Sequence, residues 1–271
     1  MSKPLKEKFP SVSQRAYLGF KKYAHVYDIM SRDVLTISPN ATMAQAARIM
    51  GDHHVGSLVV LDGEKAVGIV SERDLLTGVI AQGKDPKETS VKSCMSRGLF
   101  TVRAIATVKE AAREMMRKKG RLIVAERGNV VGIVTAADLI KSLKEVDEHI
   151  LVEDIMTREV VTVKPDATIA SVARIMGENR IGSVLVEMEG APQAIFTERD
   201  LLSSVLAKGA STKSRVSKFA AKPLITIGSG SNVREAAKLM ADKHVRRLPV
   251  KKGKEIVGII TARDLVEAYS R

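Results

Sequence analysis

This sequence predicts an α+β protein made of four copies of one small unit, each running strand, helix, strand, strand, helix. Three observations carry that prediction. First, Val26-Tyr-Asp-Ile-Met-Ser-Arg-Asp-Val-Leu-Thr36 returns as Val152-Glu-Asp-Ile-Met-Thr-Arg-Glu-Val-Val-Thr162, and Ser71-Glu-Arg-Asp-Leu-Leu76 returns as Thr197-Glu-Arg-Asp-Leu-Leu202, both 126 residues on. Second, each half divides again: Asp74 and Asp138 stand 64 residues apart, as do Asp200 and Asp264. Third, one apolar helical face recurs in every unit. Repetition at a fixed spacing marks supersecondary units that bury their apolar faces against one another.

The elements follow in order. An early strand opens each unit, carrying Leu35-Thr36, Phe100-Thr101, Val161-Thr162 or Ile225-Thr226. A helix comes next, with apolar residues at i, i+3, i+4 and i+7 on one face. They are Met43, Ala46, Ala47 and Met50 in the first unit, and Val108, Ala111, Ala112 and Met115 in the second. The third unit has Ile169, Val172, Ala173 and Met176, and the fourth Val233, Ala236, Ala237 and Met240. Thr42 with Gln45, Thr107 with Glu110 and Asn232 with Glu235 have capping-box spacing, and Thr168 can cap the third helix. Two short strands then flank turns such as Asp62-Gly63, Gly128-Asn129 and Lys252-Gly253. A second helix begins at a Ser/Thr-x-x-Asp element.

Charge and composition narrow the function. The chain of 271 residues carries a formal net charge of +13, only 3% aromatic residues and no Trp. That balance attracts polyanions or phosphorylated small molecules, but supplies few rings for stacking single-stranded nucleic acid. Residues 1–25 form a basic arm, with Lys3, Lys6, Lys8, Arg15, Lys21 and Lys22 against Glu7 alone. The arm has no apolar core of a secretory signal, and no apolar run reaches the roughly 20 residues of a membrane span. With one cysteine, Cys94, no intrachain disulfide can form, and a cytoplasmic location is expected. No nucleotide-hydrolysing, serine-hydrolase or zinc-protease motif stands out. No enzyme, metal or cofactor is therefore expected.

With these elements in place, the chain resembles CBS domains. The resemblance rests on the early strand with Thr, the capped Ala-rich helix, and Gly68-Ile-Val-Ser-Glu-Arg-Asp74 with its three relatives, which end at Asp138, Asp200 and Asp264. It implies two paired (Bateman) modules after the arm. Module 1 would span 26–148, with units at about 26–83 and 90–145. Module 2 would span 149–271, with units at about 152–208 and 215–271. Two such modules resemble the gamma subunit of AMP-activated kinase and its archaeal relatives, which implies a flat disc, as a monomer or homodimer.

The Ser/Thr-x-x-Asp element supports two readings. As a helix cap, Ser71 accepts from a free N–H and Asp74 favours the positive helix end. As a ligand site, the same N-terminus suits a phosphate, and a carboxylate can take both ribose hydroxyls. The resemblance assigns phosphate or ribose to Ser71, Thr135, Thr197 and Thr261, and ribose to Asp74, Asp138, Asp200 and Asp264. Thr36, Thr101, Thr162 and Thr226 would line the same pockets, with adenine between aliphatic side chains. It also places nucleotide phosphates on His244, Arg246 and Arg247, more weakly on Arg121, and adds Arg263 beside Asp264. A solvated basic rim remains the alternative for these cations. Two departures stand out: Ala194 replaces the Gly of the other three units, and Ala137 replaces Arg73, Arg199 and Arg263.

The function expected is a non-enzymatic sensor of AMP, ADP or ATP that signals to a partner protein in trans. S-adenosylmethionine is a variant ligand that needs no phosphate site. A nucleic-acid-associated protein, binding non-specifically through the basic arm, is the alternative from another class.

Overall fold

The computed structural model describes residues 25–118, 120–142 and 149–270. Apart from His25, the basic arm lies outside them. Repeat 1 contains β1 (Thr36–Ile37), α1 (Met43–Asp52), β2 (Ser57–Asp62), β3 (Lys65–Ser71) and α2, which starts over Glu72–Leu75 and continues as a π turn over Leu76–Ile80. Repeat 2 contains β4 (Thr101–Val102), α3 (Val108–Lys118), β5 (Leu122–Glu126), β6 (Asn129–Val134) and α4 (Ala136–Lys141). Repeat 3 contains β7 (Thr162–Val163), α5 (Ile169–Glu178), β8 (Ser183–Met188), β9 (Ala191–Thr197) and α6, Glu198–Asp200 followed by a π turn over Leu201–Leu206. Repeat 4 contains β10 (Ile227–Gly228), α7 (Val233–Asp242), β11 (Arg247–Lys252), β12 (Glu255–Thr261) and α8 (Ala262–Ser270).

Each repeat builds a three-stranded sheet in chain order, its first pair parallel and its second antiparallel. The apolar faces of α1, α3, α5 and α7 are buried residue for residue as their spacing predicts. Their N-termini are held by Thr42, Thr107, Thr168 and Asn232, whose side chains accept from the backbone N–H three residues on at 2.9–3.2 Å.

The fourth early strand departs from the sequence reading. It forms at Ile227–Gly228, not at Ile225-Thr226. In the other repeats the residue opposite the early strand donates its N–H to it: Val59 to Leu35, Ile123 to Phe100 and Leu185 to Val161. Pro249 holds that place in β11 and has no N–H, so pairing starts one residue later.

Within each module the repeats exchange their leading segments. The one-turn helix Val26–Ile29 precedes repeat 1, but Val26 and Met30 are buried in the core that contains repeat 2. Val91 conversely enters the core of repeat 1. Backbone bridges fasten the exchange: Ser31 with Ile133, Ser96 with Ile69, Thr157 with Ile259 and Ala221 with Ile195. Before three of the four bridges a methionine sits on a glycine of the partner hairpin. A Cβ on Gly132 would lie 2.7 Å from Met30 Sδ, and one on Gly258 would lie 2.5 Å from Met156 Sδ. Gly68 faces Met95 in the same way. Ala194 departs from this pattern, yet the third hairpin is approached as closely, with Ile195–Ala221 bonds of 3.0 and 2.8 Å. The reason lies across the contact: where the other leading segments carry Met, this one carries Ala220. Three Met–Gly pairs and one Ala–Ala pair solve the same packing problem.

Two apolar cores result. One joins repeats 1 and 3, the other repeats 2 and 4. Helix α1 packs on the π turn of α6 and α5 on that of α2; α3 meets α8, and α7 meets α4. Exchanged segments and bridges thus link 1 to 2 and 3 to 4, whereas helices link 1 to 3 and 2 to 4. The N-termini of the second helices consequently converge where all four repeats meet.

Candidate functional site

All four Ser/Thr-x-x-Asp elements are closed caps. Ser71 donates its hydroxyl to Asp74 Oδ2 at 2.6 Å and its N–H at 2.8 Å. Thr135 makes the same pair of bonds to Asp138 at 2.7 and 2.9 Å. Thr197 makes them to Asp200 at 2.7 and 2.8 Å, and Thr261 to Asp264 at 2.8 and 2.7 Å. Burial pushes the Asp74, Asp200 and Asp264 carboxyls above their ordinary value, against the hydrogen bonds from Ser71, Thr197 and Thr261. Each cap uses Oδ2. A carboxylate offers about four acceptor positions, so ligand hydroxyls can be taken without breaking the cap.

Seven charged side chains from all four repeats cluster where these helices start. Glu72 and Glu198, the first residues of α2 and α6, are buried, their side chains 1% and 10% exposed. They are held crosswise. Arg199 Nε lies 3.3 Å from Glu72 Oε1, and Arg73 Nε lies 2.9 Å from Glu198 Oε1. Repeat 4 adds Arg246 Nη2 at 2.8 Å from Glu72 Oε2 and Arg247 Nη2 at 3.8 Å from Glu198 Oε2. Arg121 donates from Nη2 to the Gly56 carbonyl at 3.0 Å. Among the described residues Glu198 Oε1 finds no hydrogen-bond donor despite its ion pair, since Arg73 approaches out of line.

Five arginines face Glu72 and Glu198 at a partly buried place, and Asp74 beside Arg121 and Arg73 and Asp200 beside Arg247 and Arg199 bring the acids to four, which leaves one positive charge over. Burial alone would raise the Glu72 carboxyl, but Arg246, Arg199 and Arg121 outweigh it and hold it below the ordinary value. Burial depresses the Arg121 and Arg247 guanidiniums; Glu72 and Glu198 respectively oppose this, while neighbouring Arg246 adds to it. Such a cluster is short of anions.

A cavity of about 250 Å³ opens onto this cluster. Repeat 1 gives it an aliphatic wall of Val34, Leu35, Val55 and Val59, joined by Ile133 and Ile140 from repeat 2. Thr135 and Asp138 stand at its helix N-terminus. Arg121, Arg199, His244 and Arg246 line it from repeats 2, 3 and 4. A wider cleft of about 460 Å³ between the loops of repeats 1 and 3 contains none of the candidate residues.

The candidates therefore separate. Arg121, Thr135, Asp138, His244 and Arg246 share this cavity. Arg247 belongs to the charge cluster but not to the cavity wall. Ser71, Asp74, Thr197, Asp200, Thr261 and Asp264 form the other three caps, outside this cavity. Thr36, Thr101 and Thr162 are exposed, because strand alternation turns the following residue inward, fully so for Ile37 and Val163. Thr226 precedes β10, and Arg263 is exposed. Sequence reasoning missed Glu72, Arg73, Glu198 and Arg199 as site residues. The signal was an alternation: Glu72 and Glu198 in repeats 1 and 3 stand where repeats 2 and 4 have Ala136 and Ala262.

His54 and His244, both on the cavity wall, have φ of 55° and 54°. Each ends the first helix of its repeat in the left-handed region, where glycine is usual. A non-glycine residue there costs about 1–2 kcal/mol, and Arg180, with φ of 54°, holds the same place in repeat 3 without lining the cavity.

Four repeated β-α-β-β-α units that exchange segments in pairs and cap a shared junction define a CBS-type fold. The chain belongs to the CBS domain family, which matches residues 26–81, 91–145, 152–207 and 216–271. Protein MJ1404 of Methanocaldococcus jannaschii is 30% identical over 263 residues, 89% of this chain, and the match covers 61% of that relative's length. The crystal structure of MJ1225 from the same organism, proposed as an archaeal homologue of g-AMPK, superposes with a TM-score of 0.77 at 22% identity, covering 90% of this chain and 99% of that one. A conserved protein from Pyrococcus horikoshii superposes with a TM-score of 0.62 at 22% identity, with the same coverage. Among the described residues no helix is long and apolar enough to cross a membrane, and no group of three or more His, Cys, Asp or Glu could hold a metal ion.

Proposed function

We propose that this chain is a non-enzymatic sensor of adenosine nucleotides that acts on a partner protein in trans, with its first nucleotide site in the Asp138 cavity. The observation that carries the reading is three arginines, Arg121, Arg199 and Arg246, opening onto a cavity with aliphatic walls and a capped aspartate. Adenine would lie among Val34, Leu35, Val55 and Ile133. The ribose would meet Asp138, and the phosphates Arg121, Arg199, His244 and Arg246. The cavity is smaller than the usual range of about 300–1,000 Å³, which suits an enclosed nucleoside with phosphates reaching into the junction. S-adenosylmethionine shares the adenosine but lacks phosphates, and offers the arginines a single carboxylate in their place.

Thermal melting of nucleotide-free protein against AMP, ADP, ATP and S-adenosylmethionine tests this reading. A ligand at one hundred times its dissociation constant adds about 2.7 kcal/mol. The expected result is stabilisation by AMP, ADP or ATP that is lost in Asp138→Asn. Stabilisation by none of them, or by S-adenosylmethionine alone, overturns it.

A further inference from the structure

We propose that Glu72 is a resident anion that competes with ligand phosphate for Arg199 and Arg246, so that it sets how many phosphates the Asp138 cavity requires of its ligand. The inference rests on the nucleotide reading and concerns the specificity of the same site.

Glu72 does not line the cavity; the two arginines between it and the cavity do. Arg246 donates to Glu72 Oε2 at 2.8 Å and Arg199 to Glu72 Oε1 at 3.3 Å. The carboxylate is nearly inaccessible to water, so solvent screens its charge weakly. A phosphate arriving from the cavity meets guanidiniums that already serve an anion, and meets the like charge of that anion behind them. Gly56 makes the room in which this carboxylate sits: a Cβ there would lie 3.1 Å from Glu72 Cδ and Oε2, so any larger residue would crowd it. One phosphate faces this competition with little charge, whereas a triphosphate offers more charge and more acceptor oxygens for the same donors. The competition therefore favours polyphosphate over monophosphate and penalises neither on the adenosine side. Repeats 2 and 4 carry Ala136 and Ala262 at the equivalent place, so the resident anion is a property of this junction and not of the repeated unit.

Isothermal titration of the full chain with ATP, AMP, adenosine and inorganic tripolyphosphate tests it, on wild type, Glu72→Gln, Glu72→Asp and Glu114→Gln. Glutamine keeps an acceptor for Arg246 and removes the charge. Aspartate keeps the charge. Glu114 pairs with Arg117 on the surface of α3, so its variant makes the same change in net charge away from the cavity. We expect Glu72→Gln to bind AMP about tenfold more tightly and ATP and tripolyphosphate by smaller factors, so that the preference for polyphosphate narrows, with adenosine unchanged. Glu72→Asp and Glu114→Gln stay near wild type. If Glu72 instead positions the arginines, Glu72→Gln binds AMP no better than wild type, or worse, and the competition is overturned while the nucleotide reading stands. If no nucleotide binds but Glu72→Gln still strengthens tripolyphosphate, the nucleotide reading falls and the role of Glu72 survives. An unfolded Glu72→Gln is answered by Glu72→Asp, where ATP affinity more than about threefold from wild type in either direction overturns the charge argument.

Discussion

Repeats 1 and 3 differ from repeats 2 and 4 in chemistry, although the backbone of the unit is shared. The first pair carries Ser57 and Ser183 at the start of the hairpin and Glu72 and Glu198 at the start of the second helix. The second pair carries Arg121 and Arg247, then Ala136 and Ala262, at the same places. Acids therefore come from one pair and the hairpin arginines from the other, and each pair is complete only in the presence of the other. The second helices differ as well: α2 and α6 pass into π turns, on which α5 and α1 pack, while α4 and α8 stay α-helical. The lesson is that the junction is one charge device divided among four repeats, not four copies of one pocket. Arg246 makes the difference sharper still, because repeat 2 has Gly120 in its place, and the Asp138 cavity receives a cation from repeat 4 for which repeat 2 has no counterpart.

The largest expected effect tests the packing that lets the two kinds of repeat exchange segments. Three contacts use Met against Gly and one uses Ala220 against Ala194. Ala220→Met places a long side chain where a Cβ already stands, and overpacking of this kind costs about 1–3 kcal/mol. Ala194→Gly alone loses a buried methyl and adds backbone freedom, for about 1 kcal/mol. The double variant recreates the Met–Gly pair of the other hairpins, so urea unfolding should show it more stable than Ala220→Met alone. If the two losses simply add, the contacts are not equivalent and the symmetry ends at the backbone.

A middle-sized effect tests the histidines at the ends of α1 and α7. His244→Gly releases a residue held at φ 54°, and should raise stability by about 0.5–1 kcal/mol in urea unfolding. The same change should weaken ATP binding several-fold in titration, since the side chain lines the cavity. A gain in stability at no cost in affinity would show that His244 serves only the helix end. Stability and affinity moving apart is the pattern of a strained functional position.

The sequence made the fold legible and the site only in part. The helix faces, the caps and the hairpin turns were readable because each is a local pattern with a local cause. The exchange of leading segments was not, since Val26 and Met30 have the same apolar character whichever neighbour buries them. The charge cluster was hidden for a related reason. Glu72 and Glu198 sit in the first turn of a helix, where an acid ordinarily answers the helix dipole in solvent, and nothing in a single repeat says that this turn is buried by three others. Arg199 was read as part of its own repeat, while its guanidinium serves Glu72, 127 residues earlier in the chain. The early-strand threonines rest on the resemblance alone: Thr36, Thr101 and Thr162 are exposed, and local strand alternation says only that they stand opposite the residue that follows each.

The smallest effect separates the two kinds of acid at the junction by sign. Glu72 is held below its ordinary value of 4.5 by Arg246, Arg199 and Arg121 against the opposing effect of burial. A carboxyl with a depressed folded pKa contributes stability that is present above the unfolded value and is lost as pH falls through the folded one. Asp74 is raised above its ordinary value of 3.8, with burial the main cause. Its contribution is present below the unfolded value and is lost as pH rises through the folded one. Melting temperatures of wild type, Glu72→Gln and Asp74→Asn between about pH 3 and 7 separate the two, since a tenfold difference in acidity between folded and unfolded chain is worth about 1.4 kcal/mol. The advantage of wild type over Glu72→Gln should shrink on acidification below 4.5. The difference between wild type and Asp74→Asn should move the opposite way, with wild type losing ground as pH rises from 3.8. Parallel slopes would mean that the arginines do not outweigh burial at Glu72. The buried acid of the charge cluster and the buried acid of the cap would then be the same kind of group, and the chemical distinction between the junction and its caps would fail at its first titratable residue.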